Sequence, residues 1–303
     1  MWSWDQGRLD HYQFDALRAV SRYAIGHDLR TTTRDDLTAA TGEVYLPDNP
    51  SYRPFRNYGR IFKTAMLVSL EDGIAVPTPV AVALATDGTV TSDEYFHFLA
   101  RVTTDPNPAL EEWNHDAEIR YPLLFALKMM LANASVGEPD TNLMHIVSAY
   151  ADSGLVGDED DTAFIDMIRD TPERHIPDQR QALESIRVLG QISYLTVNRT
   201  AVSVTLSEED AAALFADLAP IGGLPLADRE EEIRRRAALF NAAIGEVDFT
   251  FETTRIEEVT EAGFIQEPFF REGRKIRRTH LAIERNAKLR QAFFDARPTT
   301  QCD

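Results

Sequence analysis

Apolar residues recur at helical spacing along most of the chain, and the breaks in that rhythm mark its turns. Phe14, Leu17, Val20 and Ala24 fall on one face, which predicts a first amphipathic helix. Thr33 followed by Asp36 has the form of an N-cap, so a second helix is predicted over 35–40 with Gly42 as its stop. Beyond a loop carrying Pro47 and Pro50, Tyr58, Ile61, Phe62 and Ala65 share a face over 58–66. Arg56, Asn57, Arg60 and Lys63 fall around the other side of that third helix. Two short β-prone runs within 67–76 flank Glu71, Asp72 and Gly73, a hairpin signal. Thr78 and Pro79 cap and open a helix over 80–85, Ser92 begins another, and Pro106 and Pro108 mark a boundary.

Similar grammar returns later. Helical stretches are predicted over 119–134, 142–150 and 162–168, then over 182–190 with Leu183, Ile186 and Leu189 aligned. Alternating runs at 191–197 and 201–206 surround Asn198, Arg199 and Thr200, and Ser207 with the acids behind it reads as a helix start. Gly222, Gly223 and Pro225 form the clearest linker. Asp228 then caps a helix over 228–244 whose first turn is acidic and whose later turns hold Arg234 to Arg236, with Gly245 as the stop. A strand pattern follows over 247–252.

Three helices followed by a hairpin outline a winged helix-turn-helix. The expected fold is therefore mainly α with small β-hairpins, an α+β chain of two or three winged-helix-like units. The expected division is a winged-helix-like domain over 1–105, a helical middle domain over 106–176, a second winged-helix-like unit over 177–222, and a helix, short strands and basic segment over 223–303. The middle region is a candidate for a third, degenerate unit. In a winged helix the third helix enters the major groove and the hairpin meets the adjacent backbone. Arg53, Arg56, Asn57, Arg60 and Lys63 are the candidate contacts there, because arginine reads guanine bidentately and asparagine reads adenine.

Charge complicates that picture. The formal net charge is −18, which opposes DNA binding, since affinity for DNA rests on neutralising phosphates. The charge is uneven, however: from Glu267 to Asp303 nine Lys or Arg stand against five acids, leaving 22 basic and 44 acidic side chains in the first 266 residues. Repulsion from the acidic body is screened beyond about 8 Å at physiological ionic strength, so contact with DNA would be confined to patches. Arg271, Arg274, Lys275, Arg277, Arg278, Arg285 and Lys288 interleave with Ile276, Leu281, Ile283 and Leu289, the pattern of a phosphate-contacting strap. A basic face paired with the chain's own acids is the competing reading.

The same tail carries a family resemblance. Its Gly273-Arg274 and Arg278-Thr279-His280 run, the Ile283-Glu284-Arg285-Asn286 and Leu289-Arg290 helix, and Cys302 resemble the segment that leads into the zinc-stabilised module of HNH restriction-type endonucleases. The resemblance is specific over 271–303 and much weaker elsewhere. It implies hydrolysis of DNA by a histidine-activated water and one divalent metal, with Cys302 as first ligand of a structural zinc. It places the catalytic histidines and asparagine beyond the knuckle, so no catalytic residue and no complete metal site is expected within these residues. Divalent metal and zinc are expected only in the full-length enzyme; this chain is expected to bind DNA and not cut it.

Other chemistry finds little support. No phosphate-binding Gly-rich loop with Lys, no nucleophile elbow and no His-Glu-x-x-His helix occurs. Pro139-Asp140 and Pro177-Asp178 lack the following acid-x-Lys of the other common restriction fold and read as turns. The acidic run 158–161 lacks the ligand register of a calcium loop and reads as a helix cap. His97, His115, His145 and His175 are scattered. One cysteine, no leader-like start and no apolar run long enough for a bilayer fit a cytoplasmic protein that avoids membranes. The expected partner is double-stranded DNA, and a homodimer is compatible with that. The alternatives are a winged-helix transcriptional regulator and an acidic protein-interaction module of a defence system.

Overall fold

A computed structural model describes residues 9–177 and 179–244. They are mainly helical, with two small antiparallel sheets. Helices α1 (Phe14–Ala24), α2 (Arg34–Thr41) and α3 (Phe55–Thr64) precede a hairpin of β1 (Val68–Glu71) and β2 (Ile74–Pro77), and α4 (Pro79–Ala85) and α5 (Ser92–Val102) follow it. Thr33 caps α2 through the Asp36 amide, and Gly42 ends it at a left-handed φ of 76°. Thr91 and Glu94 form a reciprocal capping box on α5. The hairpin turns at Asp72 and Gly73, with φ of 48° and 80°, and aligns Glu71 with Ile74. Both central residues at positive φ give the turn the twist that antiparallel strands require.

The step from α3 into β1 is abrupt. Met66 adopts φ 57°, its amide bonding to the Lys63 carbonyl and the Leu67 amide to the Phe62 carbonyl, a Schellman arrangement that usually employs glycine. A left-handed backbone on a side-chain-bearing residue costs about 1–2 kcal/mol. Here that cost accompanies burial of the Met66 side chain, so the site holds a large apolar residue and the reversal together.

The second half is built round α6 (Pro122–Ser135), whose residues 122–134 are all buried. A helix that is buried on every side, here even at Lys128 and Asn133, belongs at the centre of a layer. It packs against α5, α8 (Asp161–Asp170) and α10 (Glu208–Asp217). Strand β3 (Asp140–Asn142) lies between α6 and α7 (Leu143–Asp152) and pairs with β5 (Ala201–Val204), which pairs in turn with β4 (Leu195–Val197) after α9 (Arg180–Val188). The strand order is β3-β5-β4, so a strand before α7 is joined to a hairpin after α9. No apolar run announced β3: it is three residues of Asp-Thr-Asn whose Thr141 alone is buried. The predicted helix over 228–244 is α11 (Arg229–Ala238) and α12 (Phe240–Ala243), with Asp228 as its cap. The predicted stop at Gly245 and the strand over 247–252 lie outside the described residues.

The buried apolar side chains of the described residues form one contiguous cluster from Tyr12 to Ala243. Gln191 ties its two halves. Gln13, the N-cap residue of α1, makes no side-chain cap, and the Phe14 amide instead donates to Gln191 Oε1 at 2.7 Å, while Gln191 Nε2 donates to the Tyr12 carbonyl at 2.9 Å. Nearby, Ser193 donates to Asp93 through its amide and its hydroxyl, at 2.8 and 2.6 Å. Replacing Gln191 by alanine removes a helix cap and leaves a half-buried amide without its acceptor. The expected loss is about 1–2 kcal/mol, read as a lower urea midpoint, and an unchanged midpoint contradicts this role.

Candidate nucleic-acid interface

Helix α3 starts three residues earlier than its apolar rhythm alone predicts, because Pro54 sets a helical φ at its N-cap and Phe55 packs against Phe62. Tyr58, Ile61 and Phe62 turn inward. Tyr58 meets Tyr45 and His11 edge-on at 5.0 and 4.7 Å between ring centres, and its hydroxyl accepts the Leu46 amide at 2.9 Å. At Gly59 a Cβ would stand 2.9 Å from the Phe55 ring, so a larger residue there would have to displace that ring. One side of the helix is thus fixed by aromatic contacts. The opposite side is open.

Of the five candidate residues, Arg53, Arg56, Asn57 and Arg60 are exposed. Arg53 donates to the Ser51 carbonyl at 3.2 Å and Arg60 pairs with Glu111 at 2.8 Å. Among the described residues, Arg53 and Arg56 form no ion pair, and the side chains of Arg56 and Asn57 make no hydrogen bond. Lys63 differs from the outward position its spacing predicts. Its side chain is 11% exposed and pairs with Glu230 of α11, because α11 covers the C-terminal end of α3. The free basic and amide groups therefore gather at the N-terminal end of the helix.

The hairpin beside α3 is closed on both edges. On β1, the Leu70 amide donates to Glu230 Oε2 at 2.7 Å and the Leu70 carbonyl accepts from Arg234 at 3.0 Å. On β2, the Ala75 amide donates to Asp28 at 3.0 Å. Side chains thus satisfy groups that would otherwise recruit another strand. The turn itself is mixed in charge: Glu71 and Asp72 are exposed, Arg234 lies 3.5 Å from Glu71, and Arg30 donates to the Gly73 carbonyl.

Helix α11 is held by a buried cluster of charge. Glu232 is fully buried and accepts from Arg236 at 2.6 Å, from Arg235 at 2.9 and 2.6 Å, and from the Leu226 amide at 3.1 Å. Arg236, also buried, donates to the Val102 carbonyl at 2.7 Å and Thr104 Oγ1 at 2.9 Å and lies 5.4 Å from the Trp113 ring centre. Burial by itself raises the Glu232 carboxyl, but the bonds and charges of Arg235 and Arg236 outweigh it and hold the group below its ordinary 4.5. Burial lowers the Arg236 guanidinium, with Glu232 opposing that shift.

The other sequence candidates resolve into structural roles. In the acidic run 158–161, Asp160 caps α8 through the Ala163 amide at 2.9 Å, and Glu159 accepts the Val156 and Gly157 amides at 2.6 and 2.9 Å. The Glu159 carbonyl receives Lys128 from the centre of α6. Burial depresses the Lys128 ammonium, and the neighbouring carboxylates oppose that. His97 is buried with Nε2 2.8 Å from the Tyr194 hydroxyl, His145 meets the Thr171 carbonyl at 2.8 Å, and His115 lies 3.4 Å from Asp116. His175 is exposed. Among the described residues no group of three or more His, Cys, Asp or Glu is placed to hold a metal ion, and no helix is long and apolar enough to cross a membrane. Arg271, Arg274, Lys275, Arg277, Arg278, His280, Arg285, Lys288 and Cys302 lie outside the described residues. Compared with protein-family models, with curated proteins and with solved structures, the chain matches none.

Nothing in the local sequence signals how α11 bears on the candidate interface. Glu230 and Arg234 have the i,i+4 spacing of a helix-surface pair, yet the two reach across to Leu70 rather than to each other. Replacing Glu232 by glutamine leaves Arg236 buried beside a neutral partner, with an expected loss of about 3–5 kcal/mol. Since the folded-state Glu232 carboxyl titrates below 4.5, its contribution is complete above that pH and fades as the pH falls through the lower folded value. Urea midpoints measured from pH 7 down to pH 3 should fall less steeply in the glutamine variant. Parallel acid profiles for the two proteins contradict the assignment.

Proposed function

We propose that this chain is a DNA-recognition region built from winged-helix units, of the kind that resembles the part of HNH restriction-type endonucleases preceding the nuclease. The observation that carries the reading is the N-terminal end of α3, where Arg56 and Asn57, with Arg53 just before the cap, stand exposed in a chain whose acids outnumber its bases by 49 to 31. Recognition helices of this class meet base edges chiefly through their N-terminal residues. The covering of Lys63 at the other end is compatible with that mode. The later elements support the winged-helix plan too: helix α6, strand β3, helix α7, helix α9 and the hairpin β4–β5, with α8 as an insertion and strand order β3-β5-β4.

In this reading Arg56 and Asn57 read bases, while Arg53 and Arg60 serve nearby phosphates, Arg60 by exchanging Glu111 for DNA. The basic residues from Arg271 to Lys288 would strap the backbone, and the divalent metal and structural zinc belong, by resemblance, to the nuclease. A second reading has one observation in its favour. The exposed Asp72 at the first hairpin turn, whose neighbour Glu71 already holds Arg234, would repel phosphate, which suits a module that meets a basic protein.

Selecting a random duplex pool against the chain separates the two. The DNA reading predicts an enriched site, and R56A and N57A each lose about 1–3 kcal/mol of discrimination at one base pair of it. If no duplex is enriched at low salt, or if neither substitution alters the site, the interaction module is the better account.

A further inference from the structure

The carboxylate that Arg60 meets belongs to a loop built as a fixed platform. Residues 105–120 run between α5 and α6, and their ends are joined by reciprocal backbone bonds, the Asp105 amide to the Arg120 carbonyl at 2.8 Å and the Arg120 amide to the Asp105 carbonyl at 3.1 Å. A loop whose ends meet and whose own side chains pack beneath it is a compact body rather than a slack connection. Its near leg holds Asn107, Pro108, Ala109 and Leu110, all buried, and Asn107 Oδ1 accepts the Ala109 amide at 2.9 Å. The start of α11 and the segment before it grip the loop from the side: Arg229 donates to the Pro108 carbonyl at 2.9 Å, and Trp113 Nε1 to the Leu226 carbonyl at 3.1 Å. On the far leg, Arg120 donates to the Tyr150 and Leu155 carbonyls at 2.5 and 2.7 Å.

Between these anchors the loop turns acids outward: Glu111, Glu112, Asp116 and Glu118 are all exposed. Glu111 follows the buried Leu110 and stands two residues before the anchored Trp113, so its backbone is held on both sides. From there it pairs with Arg60 at 2.8 Å, on the helix that also exposes Arg56 and Asn57. A carboxylate already in position gives up little conformational freedom when it holds a cation. It also offers the guanidinium the kind of charged oxygen acceptor that a phosphate offers.

We infer that Glu111 is an internal competitor for DNA: it occupies Arg60 in place of a backbone phosphate, and every duplex must displace it. This rests on the DNA-recognition reading above and assigns a regulation to the same face. Because the loop is anchored, Glu111 cannot retreat with its backbone when Arg60 turns to a phosphate, and its charge goes on opposing the duplex whatever the sequence. An exposed ion pair shifts an equilibrium by about fivefold at most, so the device trims affinity rather than abolishing it.

The test is a salt titration of duplex affinity for the chain as it stands, on its selected site and on a scrambled duplex, with E111Q, R60A, the double variant, E112Q and R56A alongside. E111Q should bind both duplexes about two- to fivefold more tightly at low salt, and the fall of log affinity with log salt should steepen by up to about one, since Arg60 then reaches a phosphate without first leaving a carboxylate. E112Q removes the same charge from a neighbour that forms no ion pair among the described residues, and it should bring a smaller gain. In the R60A background the E111Q gain should shrink to that of E112Q. Melting temperatures should stay near wild type, because Arg60 and Glu111 are both exposed. Equal gains from E111Q and E112Q, no gain from E111Q, or an E111Q gain that survives intact in R60A overturn this inference, and with R56A impaired they leave the reading of α3 standing. Absence of duplex binding by wild type and E111Q alike at low salt overturns both.

Discussion

A fully buried ion pair, Glu232 with Arg236, fixes the geometry on which the candidate interface depends. Taking two charges out of water costs several kcal/mol for each, and their attraction repays this only where the remaining donors and acceptors are satisfied. Here they are satisfied by groups from separate parts of the chain: Arg235 and the Leu226 amide on the carboxylate, the Val102 carbonyl and Thr104 hydroxyl on the guanidinium. An apolar contact would tolerate a slide of α11 along its neighbours. This cluster does not, because a shifted helix would leave a bare charge in the interior.

The register of α11 then decides what lies above it. Two residues nearer the N-terminus, and so on another face of the helix, Glu230 and Arg234 sit where they meet the amide and carbonyl of Leu70, closing the β1 edge, and Glu230 also takes Lys63. The cation at the C-terminal end of α3 is thereby withdrawn and those at its N-terminal end stay exposed. Strand pairing is closed off on the other edge by Asp28. What the first hairpin and its helix offer to a partner is therefore a helix end with arginine and asparagine beside a turn of mixed charge, rather than a uniformly basic surface.

Much of this was legible in the residues because it is local. The caps at Thr33, Asp160, Ser207 and Asp228, the Asp72-Gly73 turn and the inward faces of α1 and α3 follow from side-chain chemistry within a few positions. What escaped depends on partners far along the chain. Strand β3 has no apolar signature, since it is a strand only by virtue of pairing with β5 some sixty residues later. The N-terminus of α1 is capped from Gln191, and the fate of Lys63 is set by α11; neither pairing leaves a mark in local periodicity. At the candidate interface, outward placement of Arg56, Asn57 and Arg60 could be read from helical spacing, whereas the pairing of Arg60 with Glu111 could not.

An acidic chain can recognise DNA if unpaired cations are gathered and oriented, and that is what the packing of α11 against α3 accomplishes in the proposed account. The most direct measurement places a photo-crosslinking phenylalanine analogue at Asn57, with the same probe at the exposed Ala213 of α10 as reference. Irradiation with bound duplex should attach DNA at position 57 and leave position 213 unlabelled. Equal labelling at the two positions, or none at 57 under conditions where the duplex is bound, would contradict the claim that α3 faces DNA.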